Sequence, residues 1–295
     1  MPRVSSDGVS ISYERDRGDG PTVVLLGGLG LGRWMWRWQR DALAGYDVIA
    51  GYDVIVPDTR GTSRSDAGLP PVVPRLPRRL RSRLLRSRFR YDVEQLAADL
   101  EVVLDDAGVY NAHLVGANLG GMIALQYALE HRRASSLTLI GTSHGGVDAV
   151  GIDEDVPAQL LSTTGSPRAS TRERLRPLFS DRFTNRNPHL LDRIIEWQLE
   201  YGAPDPALEA QLGALESFDV GDRLEEIRVP TLVIHGSDDR VIPVWNGRLL
   251  DIKLPASQYL EIEGGSHACG IEHAEQVTDR LLSFLRELEA TPAST

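Results

Sequence analysis

The run Leu114-Val115-Gly116-Ala117-Asn118-Leu119-Gly120-Gly121 closes a short apolar stretch and opens directly onto a helical pattern. Small residues packed around one side chain, between a strand and a helix, are what a strained nucleophile elbow requires. The N-terminus of the following helix, and the Leu119 backbone N–H in particular, would face an anion developing at that turn. A serine there becomes a nucleophile when a base accepts its proton. An asparagine amide has no acidic proton to give, and its oxygen is a poor nucleophile. Asn118 thus occupies a place shaped for attack with a side chain that cannot attack.

The elements that must hold this turn can be read on either side of it. Val9 to Tyr13 alternates like a half-buried strand, and Thr22 to Leu26 is a continuous apolar strand ending in Gly27-Gly28-Leu29-Gly30. Trp34 to Leu43 predicts a helix. Ala44 to Ile49 is then repeated word for word as Ala50 to Ile55, and only the second copy runs on into Val56-Pro57-Asp58. The second copy is therefore the buried strand, and the first extends the helix or bulges out as a loop. Asp92 to Ala107 is an amphipathic helix built on Val93, Leu96, Leu100, Val103 and Leu104. Strands are expected at Ala112 to Val115, Leu137 to Ile140, Thr231 to Ile234 and Tyr259 to Ile262, with helices at Met122 to Glu130 and Ala274 to Glu289. Strands alternating with helices predict one doubly wound, mostly parallel α/β unit.

Two stretches stand apart. Residues 144–227 carry helical pattern and no convincing buried strand, so they are expected to cap one end of a core made of 1–143 and 228–295. Within that core, the 70–90 segment holds eight arginines and no acid, leaving the other 24 basic side chains among 42 acidic ones. Leu76, Leu80, Leu84 and Phe89 recur at near-helical spacing, so a basic amphipathic helix is expected past Pro77. It is either an insertion neutralised by the chain's own acidic surface, or a lid or docking element giving weak, salt-sensitive contact with anionic membrane or an acidic partner. The net charge of -10 argues against nucleic-acid binding. One cysteine, Cys269, excludes an internal disulfide. The longest apolar run, Pro21 to Leu29, is too short to span a bilayer and follows a polar segment, so a cytoplasmic location is expected.

From about Val9 to Leu288 the chain resembles the α/β-hydrolase family, in its esterase and lactonase branch. Gly27-Gly28-Leu29-Gly30 is similar to the family's His-Gly loop, which implies Leu29 and Leu119 as the two oxyanion donors. Asp58-Thr59-Arg60-Gly61-Thr62-Ser63-Arg64-Ser65 resembles the family's Asp-x-Arg-Gly-x-Gly-x-Ser turn, with Ser63 replacing a glycine. His235-Gly236-Ser237-Asp238-Asp239 resembles the loop of the triad acid, and its spacing favours Asp239 over Asp238. Gly264-Gly265-Ser266-His267 resembles the loop that presents the triad histidine. The resemblance thus implies Asn118, Asp239 and His267 as the working site, with no cofactor and no metal. Trp34 is expected to lend an apolar wall suited to an apolar small-molecule substrate or ligand, and Trp36 to pack. His235 is expected to be structural and Cys269 inert.

Four readings of Asn118 stay open. His267 and Asp239 act as a general-base dyad on water or substrate, which Asn118 positions; this supports ester or lactone hydrolysis or related chemistry. The chain is a catalytically silent binder that retains the pocket. The working residue is another one, either a serine replaced by asparagine or an aspartate formed by deamidation. A different nucleophile substitutes, Ser143 or Cys269.

Overall fold

A computed structural model describes residues 1–45, 51–88 and 91–290. Continuous apolar runs become central strands because only a strand flanked on both faces can bury every side chain. In order, β1 (Arg3–Ser6), β2 (Val9–Asp16), β3 (Thr22–Leu26), β4 (Asp53–Pro57), β5 (Ala112–Ala117), β6 (Ala134–Ile140), β7 (Thr231–Gly236) and β8 (Ser257–Ile262) form one sheet. Its spatial order is β1-β2-β4-β3-β5-β6-β7-β8. β2 runs antiparallel to β1 and β4, and all other pairs are parallel. Every residue of β5 and β7 is buried.

The helices follow from the same pattern: α1 (Arg37–Leu43), α2 (Arg78–Leu85), α3 (Val93–Ala107) and α4 (Leu119–Glu130). Between β6 and β7 come α5 (Val156–Leu160), α6 (Pro167–Leu175), α7 (Asp181–Arg186), α8 (Pro188–Tyr201) and α9 (Asp205–Ser217). Finally α10 (Trp245–Lys253), α11 (Cys269–Glu272) and α12 (Ala274–Ala290) complete the chain. None of the helices among the described residues is long and apolar enough to cross a membrane.

β3 has the bounds its apolar run predicts, and the second copy of the hexapeptide supplies β4. Most of the first copy lies outside the described residues. The basic helix forms after Pro77, but Leu85 is the residue it buries while Leu80 is half exposed. Phe89 lies outside the described residues. α2 turns its basic face to the inserted helices: Arg81 pairs with Glu209, Arg86 with Glu216, and Arg78 donates to Thr163 Oγ1. β1, an edge strand with a single buried residue, escapes the reading of apolar runs.

Candidate active site

The parallel order brings the carboxyl ends of β3, β5, β6 and β7 together, and the loops leaving them build one pocket. The β5–α4 turn is the tightest of these. Asn118 adopts φ 51° and ψ -117°, a conformation that costs about 1–3 kcal/mol for a residue with a side chain. It is over-determined from three sides. Its N–H donates to Ile140 O at 3.0 Å, and its carbonyl accepts from Gly121 N at 3.0 Å and from Thr142 Oγ1 at 2.7 Å. A Cβ on Gly116 would stand 2.3 Å from Gly120 O, and one on Gly120 would stand 2.1 Å from Leu26 O. Both positions therefore require glycine.

The Asn118 side chain is buried and points at the loop after β3: Oδ1 accepts the Leu29 N–H at 3.1 Å. The neighbouring Gly28 N–H is turned to the Met35 sulfur at 3.2 Å. Leu119 opens α4, so its N–H belongs to a helical first turn with no intrahelical acceptor.

Asp239 follows β7 and is fully enclosed. Oδ1 accepts the Val241 and Ile242 N–H groups, each at 2.8 Å. Oδ2 lies 2.8 Å from His267 Nδ1 and 3.3 Å from His235 Nε2. Burial works to raise this carboxyl, but the His267 charge and the bonds from His235 and His267 outweigh it and hold it at about 2. An ionised acceptor places a hydrogen of His267 on Nδ1, toward Asp239. Asp238, which the sequence offers as the other acid, is exposed, and its carboxylate accepts from the neighbouring Ser237 Oγ at 3.0 Å.

Asn118 and His267 share the walls of a cavity of about 60 Å³ with Trp34, Met35, Ile140, Leu178, Phe179 and Val241 among others. That is room for about two water molecules, lined almost wholly by carbon. A second cavity of about 240 Å³ adjoins it through Leu29, Leu31, Leu160 and Leu178, and carries Thr171, Arg174 and Gln198. Trp34 lines the first cavity, and its Nε1 donates to Gln198 Oε1 at 3.0 Å. Ser143 does not reach this pocket. Its hydroxyl donates to Asn246 Oδ1 and accepts from Gly145 N, both at 3.1 Å. Cys269 is also outside the pocket wall; burial, with Asp239 and Glu272 nearby, pushes its thiol up to about 12.

A family model described as the alpha/beta hydrolase fold matches residues 21–274, from before β3 to the start of α12. The chain belongs to the α/β-hydrolase fold family. RutD of Azorhizobium caulinodans, named as a candidate carbamate hydrolase, is 30% identical over 98% of this chain and 100% of its own. A 2-hydroxy-6-oxo-6-phenylhexa-2,4-dienoate hydrolase of Burkholderia cepacia is 31% identical over 92% of this chain and 89% of its own. Among solved structures, an enol-lactonase from Burkholderia xenovorans superposes with a TM-score of 0.79 at 24% identity, covering 97% of this chain and all of that one. That likeness speaks for the fold alone.

Two features of this α/β hydrolase are not evident from its motifs. Ser63 has φ 52°, in the region that favours glycine, so the serine in the Asp58–Ser65 turn keeps the backbone that a glycine would adopt. His235, read from sequence as structural, is a second imidazole on the Asp239 carboxylate. Its Nε2 faces both Asp239 Oδ2 and, at 2.8 Å, Ile242 O, so Nε2 bears the hydrogen. The four-residue spacing from His235 to Asp239 at a strand end was the available signal. Gln211, in the middle of α9, gave none.

Proposed function

We propose that this α/β hydrolase carries out cofactor-independent general-base chemistry on small apolar molecules, with ester or lactone hydrolysis as the leading case. His267 is the base, Asp239 its partner, and Asn118 holds substrate or water in place of a nucleophile. The observation that carries this reading is the His267–Asp239 bond at 2.8 Å with His267 in the wall of the same cavity as Asn118. The relatives named for hydrolysis of a carbamate and of a dienoate support a hydrolytic reaction.

In the hydrolytic case His267 Nε2 takes a proton from water as the water oxygen bonds to the carbonyl carbon. The carbonyl electrons move to oxygen, which meets the Leu119 N–H at the α4 N-terminus. Collapse expels the alkoxide, and His267 returns the proton to it. No acyl-enzyme forms. The helices of 144–227 serve as the cap in this reading, since Leu160, Leu178 and Phe179 roof the cavity. Its small volume fits a short apolar group at the reacting centre, with bulk left in the adjoining cavity.

The test is hydrolysis of short p-nitrophenyl esters and of a γ-lactone by the wild type, His267→Ala and Asn118→Ser. The expected result is slow wild-type turnover without a burst, lowered about 10²- to 10⁴-fold by His267→Ala and greatly raised by Asn118→Ser. Turnover that ignores His267→Ala would end the dyad reading. One observation favours a second reading, a ligand-binding protein without turnover: the Leu29 N–H is already engaged by Asn118. That reading predicts no turnover and ligand affinity unchanged in His267→Ala.

A further inference from the structure

Gly30, next to Leu29, is gripped on both sides by the helices inserted between β6 and β7. Its N–H donates to Gln211 Oε1 at 2.8 Å, and its carbonyl accepts from Gln198 Nε2 at 2.8 Å and from Ala203 N at 3.0 Å. Gln211 is wholly buried, and its amide nitrogen donates to Arg60 O and Thr62 Oγ1, each at 2.9 Å. One side chain on α9 thus ties the oxyanion loop to the turn after β4. The packing leaves no slack. A Cβ on Gly30 would stand 2.6 Å from Leu208 Cδ1, and one on Gly61 would stand 2.5 Å from Ala207 Cβ. α9 therefore rests directly on two glycine turns, and a shift of α9 must move the Gly30 peptide.

The position of α9 is itself set by a buried charge. Glu209, two residues before Gln211, is 1% exposed, and it meets Arg81 of α2 through two bonds: Nε to Oε2 at 3.1 Å and Nη2 to Oε1 at 2.8 Å. Arg81 Nη2 also lies 3.9 Å from Asp205 Oδ2, at the start of α9. A carboxylate that deep is stable only when paired; without Arg81 it must either take up a proton or reach water, and reaching water moves α9.

We propose that Gln211 is a positioning residue for the oxyanion loop, and that Arg81 of the arginine-rich segment holds it in place through Glu209. The segment then acts on the site from outside, as a charged clamp whose state is read at the Leu29–Gly30 peptide. This rests on the reading of that loop as part of the active site, so the test measures the loop itself and not turnover.

Amide hydrogen exchange, resolved by NMR on the full chain, reports on Gly30 and Leu29 directly. Gln211→Leu, which removes the acceptor, sets the upper limit for Gly30. Arg81→Gln is expected to speed Gly30 exchange about tenfold or more and to shift the Leu29 amide resonance, while amides of β3 and β5 stay protected. Arg81→Gln/Glu209→Gln, which removes the buried charge along with its partner, is expected to return Gly30 toward the wild-type rate. Arg81→Lys keeps the charge without the two-pronged geometry and is expected to fall between; it keeps the test open if Arg81→Gln does not fold. Wild-type Gly30 exchange in both Arg81 variants would overturn the proposal, as would a double variant no slower than Arg81→Gln alone.

Discussion

The Leu29 N–H and the Asn118 Oδ1 are joined across 3.1 Å, so the side chain at the elbow occupies one of the two donors proposed for a substrate oxygen. A carboxamide held by its oxygen turns its NH₂ the other way. Asn118 therefore withdraws one N–H donor from a ligand oxygen and carries another donor, its own NH₂.

That exchange can be measured. Asn118→Ala frees the Leu29 N–H and removes the amide. If the N–H is the better partner for a carbonyl, γ-lactone affinity should rise about two- to tenfold, the range of one net hydrogen bond. Calorimetric titration would show it. Weaker binding would mean that the Asn118 amide itself holds the ligand.

Two displaced carboxyls, Asp239 and Asp58, should behave oppositely with pH. Asp239 lies at about 2, below its ordinary value. It thus contributes stability that is complete above about pH 4 and fades as pH falls toward 2, of order 2 kcal/mol for a shift of this size. Asp239→Asn should be less stable than wild type at pH 6 in urea unfolding, with the gap closing on acidification. A gap independent of pH would contradict the ionised pair.

Asp58 is raised to about 6, first by burial, which Arg33 and the bonds from Arg64 N and Ser63 only partly offset. A raised carboxyl destabilises the fold when ionised, so its penalty is present above pH 6 and relieved as pH falls through 6. Asp58→Asn should melt higher than wild type at pH 8, with the gap narrowing below pH 6 and closing only near pH 4. A lower melting temperature at pH 8 would show that the Arg33 pairing at 3.4 Å outweighs burial.

His235→Leu removes the imidazole that lies 3.3 Å from Asp239 Oδ2 and leaves Ile242 O without its imidazole donor. A loss of about 1–3 kcal/mol in chemical denaturation is expected. His235→Gln, whose amide nitrogen can reach the place of Nε2, should recover part of it. Equal stability of the two variants would mean that the ring is held by packing alone, since α10 lies so close that a Cβ on Gly247 would stand 2.5 Å from His235 Nδ1.

Much of this was legible in the sequence because continuous burial writes itself as continuous apolar residues. Thr22–Leu26 and the Asp92 helix start could be read almost to the residue. β1 could not, because an edge strand with one buried residue carries little apolar signal. At the site, Asn118, Asp239 and His267 stand on glycine-marked turns, so sequence could point to them. Gln211 stands mid-helix with no such mark, and its bonds reach partners about 150 and 180 residues away. Only the folded chain brings those together.

The positive φ of Asn118 has an evolutionary side. Hydrogen bonds between the Asn118 backbone and Ile140, Gly121 and Thr142 hold this conformation, so the elbow keeps its shape with this occupant. Asparagine codons differ from two of the six serine codons by one nucleotide transition. A lineage could therefore lose or regain an attacking hydroxyl here in a single genetic step, with the surrounding scaffold carried through unchanged.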